Sequence, residues 1–196
     1  MPNYLLMIIT AVIYVALVYF NGWHSNMASN LTLLKFAIIT PILIADFVID
    51  YRMQIIPNRL NLTLFEIGLI FTFLYGFTNV NIAADMFLGL LAGGGIFLLL
   101  TLVGGLLAGK EAMGFGDVKL MCGIGLIFGL GGTIVTTMLS FLIGAIVSIV
   151  LLATKKKKSD EYIPFGPFIV VASFVSIFVP FVDLANVLLK IFTLGM

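Results

Sequence analysis

Carboxylates are the groups in this chain best supplied for chemistry. There is one cysteine, Cys122, and one histidine, His24. A single cysteine gives no disulfide framework and no CxxC thiolate site, and a single imidazole leaves no HExxH zinc pair. A Ser–His dyad would have to use His24, which stands in a short polar stretch far from any nucleophile motif and reads as a solvated loop residue. Nine Asp and Glu side chains remain. The expectation is a site built on acids, with no metal and no cofactor.

Most of those acids have plain explanations. Asp160 and Glu161 stand beside the run Lys155-Lys156-Lys157-Lys158, and Glu111 stands in a polar break. Glu66, Asp85 and Asp183 fall close enough to the ends of apolar stretches for water to reach them. Asp46 and Asp50 are one helical turn apart near the polar end of one stretch, and Asp117 opens another. If Asp50 and Asp117 meet, they titrate as a pair that shares a proton. One can then take a proton from water while the other gives one to a substrate carbonyl, which is aspartic-protease chemistry. Proton relay, ion conduction and helix packing compete with that reading, and Asp46 reads as a polar residue at the membrane edge. Locally, Gly114-Phe115-Gly116-Asp117 sets two glycines just before one acid. Glycine there opens unusual backbone angles and lets a peptide approach the main chain, while the dipole of a helix N-terminus favours an acid.

The elements that must carry these acids follow from composition. The chain has 196 residues, 62% hydrophobic and 10% charged, with a net charge of +1 and a mean hydropathy of +1.23. Soluble domains run nearer half apolar and a quarter charged, so a soluble enzyme, a disordered tail and a nucleic-acid-binding module are excluded. At roughly 20 residues per span, the apolar residues suffice for about six. Placing them gives spans near 4–20, 31–50, 60–78, 83–108, 118–131, 133–153 and 165–182, with a last apolar piece near 184–194. The expected fold is all-α, a polytopic bundle of about seven spans forming one domain over 1–196, because open strands leave backbone groups unpaired in lipid. The fifth span is short and turns at Gly129 to Gly132, and Pro180 interrupts the C-terminal stretch. Arg52, Arg59, Lys110, Lys119 and Lys155 to Lys158 fall at alternate breaks, which the positive-inside rule makes cytoplasmic together with the N-terminus. Lys35 and Lys190 lie elsewhere. The lysine run reads as a topology anchor. The pairs Gly89 and Gly93, Gly105 and Gly109, and Gly125 and Gly129 are spaced for close helix contact, within one chain or between two, so oligomeric state stays open.

Three stretches then resemble the type IV prepilin peptidase family of GxGD membrane aspartic proteases. They are Ile49-Asp50-Tyr51-Arg52 with Ile56-Pro57-Asn58-Arg59-Leu60, then Met113-Gly114-Phe115-Gly116-Asp117-Val118-Lys119-Leu120, and finally Ile163-Pro164-Phe165-Gly166-Pro167-Phe168. The resemblance implies endoproteolysis that removes the basic leader of prepilin or pseudopilin precursors at the cytoplasmic face of the cell membrane. It implies Asp50 and Asp117 as the catalytic acids. Gly114 and Gly116 fall on the motif glycines and Lys119 on a motif lysine, while Pro57, Asn58, Pro164, Gly166 and Pro167 match positions expected to shape the site. The expected partners are those precursors and the bilayer, with no nucleic acid. Two departures stand out. Bifunctional members resembling this chain carry an N-terminal span and a cytoplasmic segment with paired CxxC motifs, associated with N-methylation. Here the chain starts with a span and has one cysteine, so the expectation is peptidase without methyltransferase. Arg52 also stands where many members carry another acid. A small transporter using intramembrane acids and a non-catalytic assembly protein are the competing readings. A presenilin-type protease shares GxGD, but no Pro-Ala-Leu motif follows.

Overall fold

The computed structural model describes residues 4–21, 27–108, 113–154 and 163–193. His24, Gly109, Lys110, Glu111, the run Lys155 to Lys158, Asp160 and Glu161 lie outside them. Seven helices follow one another among the described residues: α1 (Tyr4–Asn21), α2 (Met27–Met53), α3 (Asn58–Thr78), α4 (Val80–Ala108), α5 (Phe115–Ala153), α6 (Gly166–Phe178) and α7 (Phe181–Phe192). Four are long and apolar enough to cross a membrane, or five when the bent pair α6–α7 counts as one span. Their outer faces present Ile, Leu, Val and Phe, such as Phe77 at 88% and Leu106 at 85% exposure, which suits lipid and not water. This is a multi-pass helical membrane protein.

Packing sets the direction of each helix. Along α3, Leu64 meets Gly123 and Gly68 meets Leu126, so α3 runs parallel to the start of α5. Along α4, Gly89 meets Gly125 and Gly93 meets Met121, so α4 runs antiparallel to it. Yet Gly93 also meets Thr133, and Phe97 stacks on Phe141 at 5.7 Å. A straight helix holds positions 121 and 133 about 18 Å apart. Helix α5 therefore folds back on itself, and its second arm runs beside α4 in the opposite sense to its first.

The reversal is at Gly129, whose φ of 70° and ψ of −177° lie in a region open essentially to glycine. Two charged side chains from other helices hold the ends it creates. Lys35 of α2, buried, donates from Nζ to the Ile127 carbonyl at 2.7 Å, and Asp85 of α4 accepts from the Leu130 N–H at 3.4 Å. A helix end buried in lipid needs such partners. The fifth and sixth stretches, expected as separate spans meeting near Gly129, are these two arms. The first, 115–128, is about 21 Å long at 1.5 Å per residue.

Elsewhere the breaks are proline's work. Pro41 inside α2 cannot donate to the Ala37 carbonyl, and Tyr14 Oη of α1 donates to it instead at 2.9 Å. Pro180 forces Val179 into extended backbone and ends α6 at Phe178. The last expected full span, 165–182, is thus a shorter helix, and α7 leaves it at a bend of 120°.

Candidate active site

The reversals of direction bring the α2 C-terminus, the α5 N-terminus and the α6 N-terminus to one end of the bundle. Asp50 sits in the last turn of α2. That helix stops in an αL cap: Gln54 takes φ 56° and its N–H bonds the Asp50 carbonyl at 2.9 Å. The chain then runs extended into Pro57, which caps α3. Asp117 sits in the first turn of α5, three residues after the N-cap Gly114, with its carboxylate set against the Gly114 N–H. That is the reach-back half of a capping box.

Asp50 and Asp117 lie within electrostatic reach of each other, and Asp46 lies within reach of Asp50. All three are buried, at 4%, 3% and 1% exposure, so the cluster is closed to a peptide in this state. The Asp50 carboxylate rests on the first turn of α6: Oδ2 touches the space where a Gly166 side chain would begin, and the carboxylate faces the Gly166 N–H. Neither that oxygen nor the two of Asp46 has a hydrogen bond of ordinary geometry among the described residues. No group of three or more His, Cys, Asp or Glu side chains among them is arranged to hold a metal ion.

The remaining sequence-derived positions divide into two sets. Gly116 packs on the Ile56 side chain, and Pro164 and Pro167 are buried beside Gly166, with proline in the first turn of α6. Of these, Gly166 touches the Asp50 carboxylate and Gly116 directly precedes Asp117. Lys119 and Asn58 are exposed and bonded to each other, Nζ to Oδ1 at 2.8 Å, with Lys119 also over the Phe115 ring. Two residues along a helix are about 200° apart, so Lys119 faces away from Asp117 and ties α5 to α3 instead. Neither motif glycine takes the unusual backbone angles expected there. Gly114 has φ −68° and ψ 139°, and Gly129 is the one glycine with positive φ among the described residues. What Gly116 supplies is room for Ile56.

Asn61 went unnoticed in the sequence. Its Nδ2 donates to the Gly116 carbonyl at 3.1 Å, one residue before Asp117, and the side chain is 3% exposed. The signal was its place in the buried stripe Asn61, Leu64, Gly68, Phe71 of α3, where a polar residue needs a reason.

A helical membrane protein whose far-separated segments gather buried carboxylates at one end of the bundle is what the fold and the site define. Sequence comparison supplies the family. The type IV leader peptidase family matches residues 37–149, a stretch containing both Asp50 and Asp117 and more than half the chain. The chain belongs to that family. The prepilin leader peptidase/N-methyltransferase of Aeromonas hydrophila is 33% identical over 140 residues, covering 71% of this chain and 47% of that protein. The protein of the same name from Stutzerimonas stutzeri is 34% identical over 160 residues, covering 80% and 52%. That from Pseudomonas aeruginosa is 34% identical over 136 residues, covering 69% and 46%. The chain spans about half the length of the curated relatives it matches. No solved structure matches it at a significant level.

Proposed function

We propose that this chain is an aspartic endopeptidase that removes the basic leader of prepilin-like precursors at the cytoplasmic face of the cell membrane. The observation that carries the proposal is the meeting of Asp50 and Asp117, from helices distant in sequence, at one end of the bundle. Arg52, Arg59 and Lys119 lie at that same end, which the positive-inside rule assigns to the cytoplasm. Asp50 is within a turn of the end of α2 and Asp117 within a turn of the start of α5, so neither stands at mid-membrane as a transport pathway would require.

The chemistry follows from one shared proton. The ionised carboxylate of the pair removes a proton from water as the oxygen attacks the scissile carbonyl, and the protonated partner gives its proton to the carbonyl oxygen. The tetrahedral diol then collapses. The amide nitrogen takes a proton from the newly protonated acid, the C–N bond breaks, and the departing gem-diol proton returns to the other carboxylate. Both acids finish as they began. Closing such a site to bulk water keeps this exchange within the pair. No methyl transfer is proposed for these 196 residues, which hold a single cysteine.

The test is co-expression with a candidate prepilin, followed by N-terminal sequencing of the product. Asp50→Asn and Asp117→Asn are each expected to abolish cleavage while the protein still inserts. A robustly active Asp117→Asn enzyme would sink the assignment.

A further inference from the structure

The short segment between α2 and α3 has the build of a stopper. Gln54 holds left-handed backbone with φ 56°, a conformation uncommon for a residue with a side chain. Ile55 next to it is 67% exposed, whereas Ile56 is turned inward at 8%. The inward side chain fills a niche walled by two glycines from different helices. A Cβ placed on Gly116 would stand 3.2 Å from Ile56 Cβ, and one placed on Gly166 would stand 3.0 Å from Ile56 Cδ1 and 3.1 Å from Asp50 Cγ. The tip of Ile56 and the Asp50 carboxyl thus border the same point in space. Both acids are at most 4% exposed, so a peptide reaches them only if part of this cover moves.

We propose that Ile56 is a self-occupying plug: it fills the apolar subsite beside Asp50 that a substrate side chain takes, and the Gln54–Pro57 segment swings out to admit it. The subsite half of this rests on the peptidase reading above. The geometry explains why a loop residue is isoleucine. It also explains why glycines stand on both sides of it, since any side chain at either position would fill the niche permanently. The Gln54 N–H still bonds the Asp50 carbonyl, and the Pro57 carbonyl already accepts from Leu60 and Asn61, so the change of angle falls on Ile55 and Ile56 between those two anchored ends. The niche admits one branched apolar side chain, so its glycine walls, Gly116 and Gly166, set the size of the substrate residue preferred there. Ile56 is a gating residue and takes no part in the proton transfers.

The plug is tested without substrate first. The full chain in lipid nanodiscs is treated with a water-soluble carbodiimide and glycine ethyl ester. Labelling of Asp50 and Asp117 is read by mass spectrometry against the exposed Asp183 as internal standard. Ile56→Ala is expected to raise labelling of the two acids by at least about tenfold, reporting an opened local barrier, and Ile56→Phe to leave it at or below the wild-type rate. Leu64→Ala, an equally severe truncation in the α3–α5 core, serves as the control for general loosening. Wild-type labelling in Ile56→Ala, or equal acceleration in Leu64→Ala, overturns the plug. With a cleaved prepilin in hand, Ile56→Ala is expected to lower KM several-fold and leave kcat within about twofold, because it removes a competitor for the subsite and not a reacting group. An unchanged or raised KM overturns the subsite assignment. Accelerated labelling in Ile56→Ala together with no cleavage of any prepilin by the wild type would refute the peptidase reading and leave the plug standing.

Discussion

Replacing Gly166 by alanine adds one methyl group at the point where α6 touches Asp50. The new carbon would overlap Asp50 Oδ2, and would stand 3.1 Å from Asp50 Cγ and 3.0 Å from Ile56 Cδ1. Ordinary carbon contacts are about 3.5 Å or more, so the carboxylate has to retreat by about 1 Å. Helix α6 cannot yield easily, because Pro167 in its first turn and Pro164 just before the helix are both buried. A misplacement of about 1 Å at a reacting group costs on the order of 100-fold in rate, or roughly 2.7 kcal/mol of barrier. The expected result is therefore a drop of about two orders of magnitude in kcat for prepilin cleavage, measured by gel shift over time with reconstituted enzyme. Thermal unfolding separates this from a folding defect, since the overlap costs the fold only about 1–3 kcal/mol. Gly144→Ala is the matched control: its Cβ would meet the Phe168 and Phe165 rings at 3.1 and 3.2 Å, contacts that ring movement relieves. Adding Ile56→Val to Gly166→Ala removes Cδ1, gives the carboxylate somewhere to go, and is expected to restore part of the rate. A Gly166→Ala enzyme within threefold or so of wild type would refute the reasoning that α6 positions Asp50.

Four further substitutions address the scaffold. Gly129→Ala puts a side chain at φ 70° and drives its Cβ into the Asp85 carboxylate; it is expected to cost at least about 1–3 kcal/mol, read as a lowered unfolding temperature in detergent. Gly125→Ala collides with the Gly89 backbone and is expected to cost about 1–3 kcal/mol or more, whereas Gly95→Ala meets nothing within 4 Å and is expected to be stabilising by about 0.5–1 kcal/mol on helix propensity. Comparing their detergent half-lives checks both. Tyr14→Phe leaves the Ala37 carbonyl without its donor beside Pro41, with an expected loss of about 0.5–1.5 kcal/mol and looser docking of α1 in limited proteolysis.

How far the sequence could be read depends on how local each feature is. The three motif stretches, and the places of Asp50 at a helix end and Asp117 at a helix start, are carried by neighbouring residues, so they are readable directly. The fold-back of α5 was readable too, from the shortness of the stretch before the glycines at 129–132. What held that turn together was not. Lys35 looks like a stray charge in an apolar run until α5 is laid against α2, and Asp85 looks like a wetted end residue until Leu130 is beside it. Ile56 and Asn61 were hidden for the same reason: an apolar residue before proline and an asparagine in a helix acquire meaning only from the glycine and the carbonyl facing them. At Gly116 glycine's backbone freedom and its small size look identical in one letter, and only the Ile56 side chain facing it tells them apart.

The reversal at Gly129 leaves the arm carrying Asp117 about 21 Å long, whereas the hydrocarbon layer is about 30 Å thick. Of that arm only Phe115 and Lys119, at its start, are exposed, so other helices and not lipid surround it. The shortfall is taken up inside the protein, by the cavity of about 400 Å³ lined by Lys35, Asp85 and Tyr75 at the arm's far end. An enclosed half-length helix shields the acid it carries from changes in membrane thickness, which the longer helices with apolar outer faces absorb in its place.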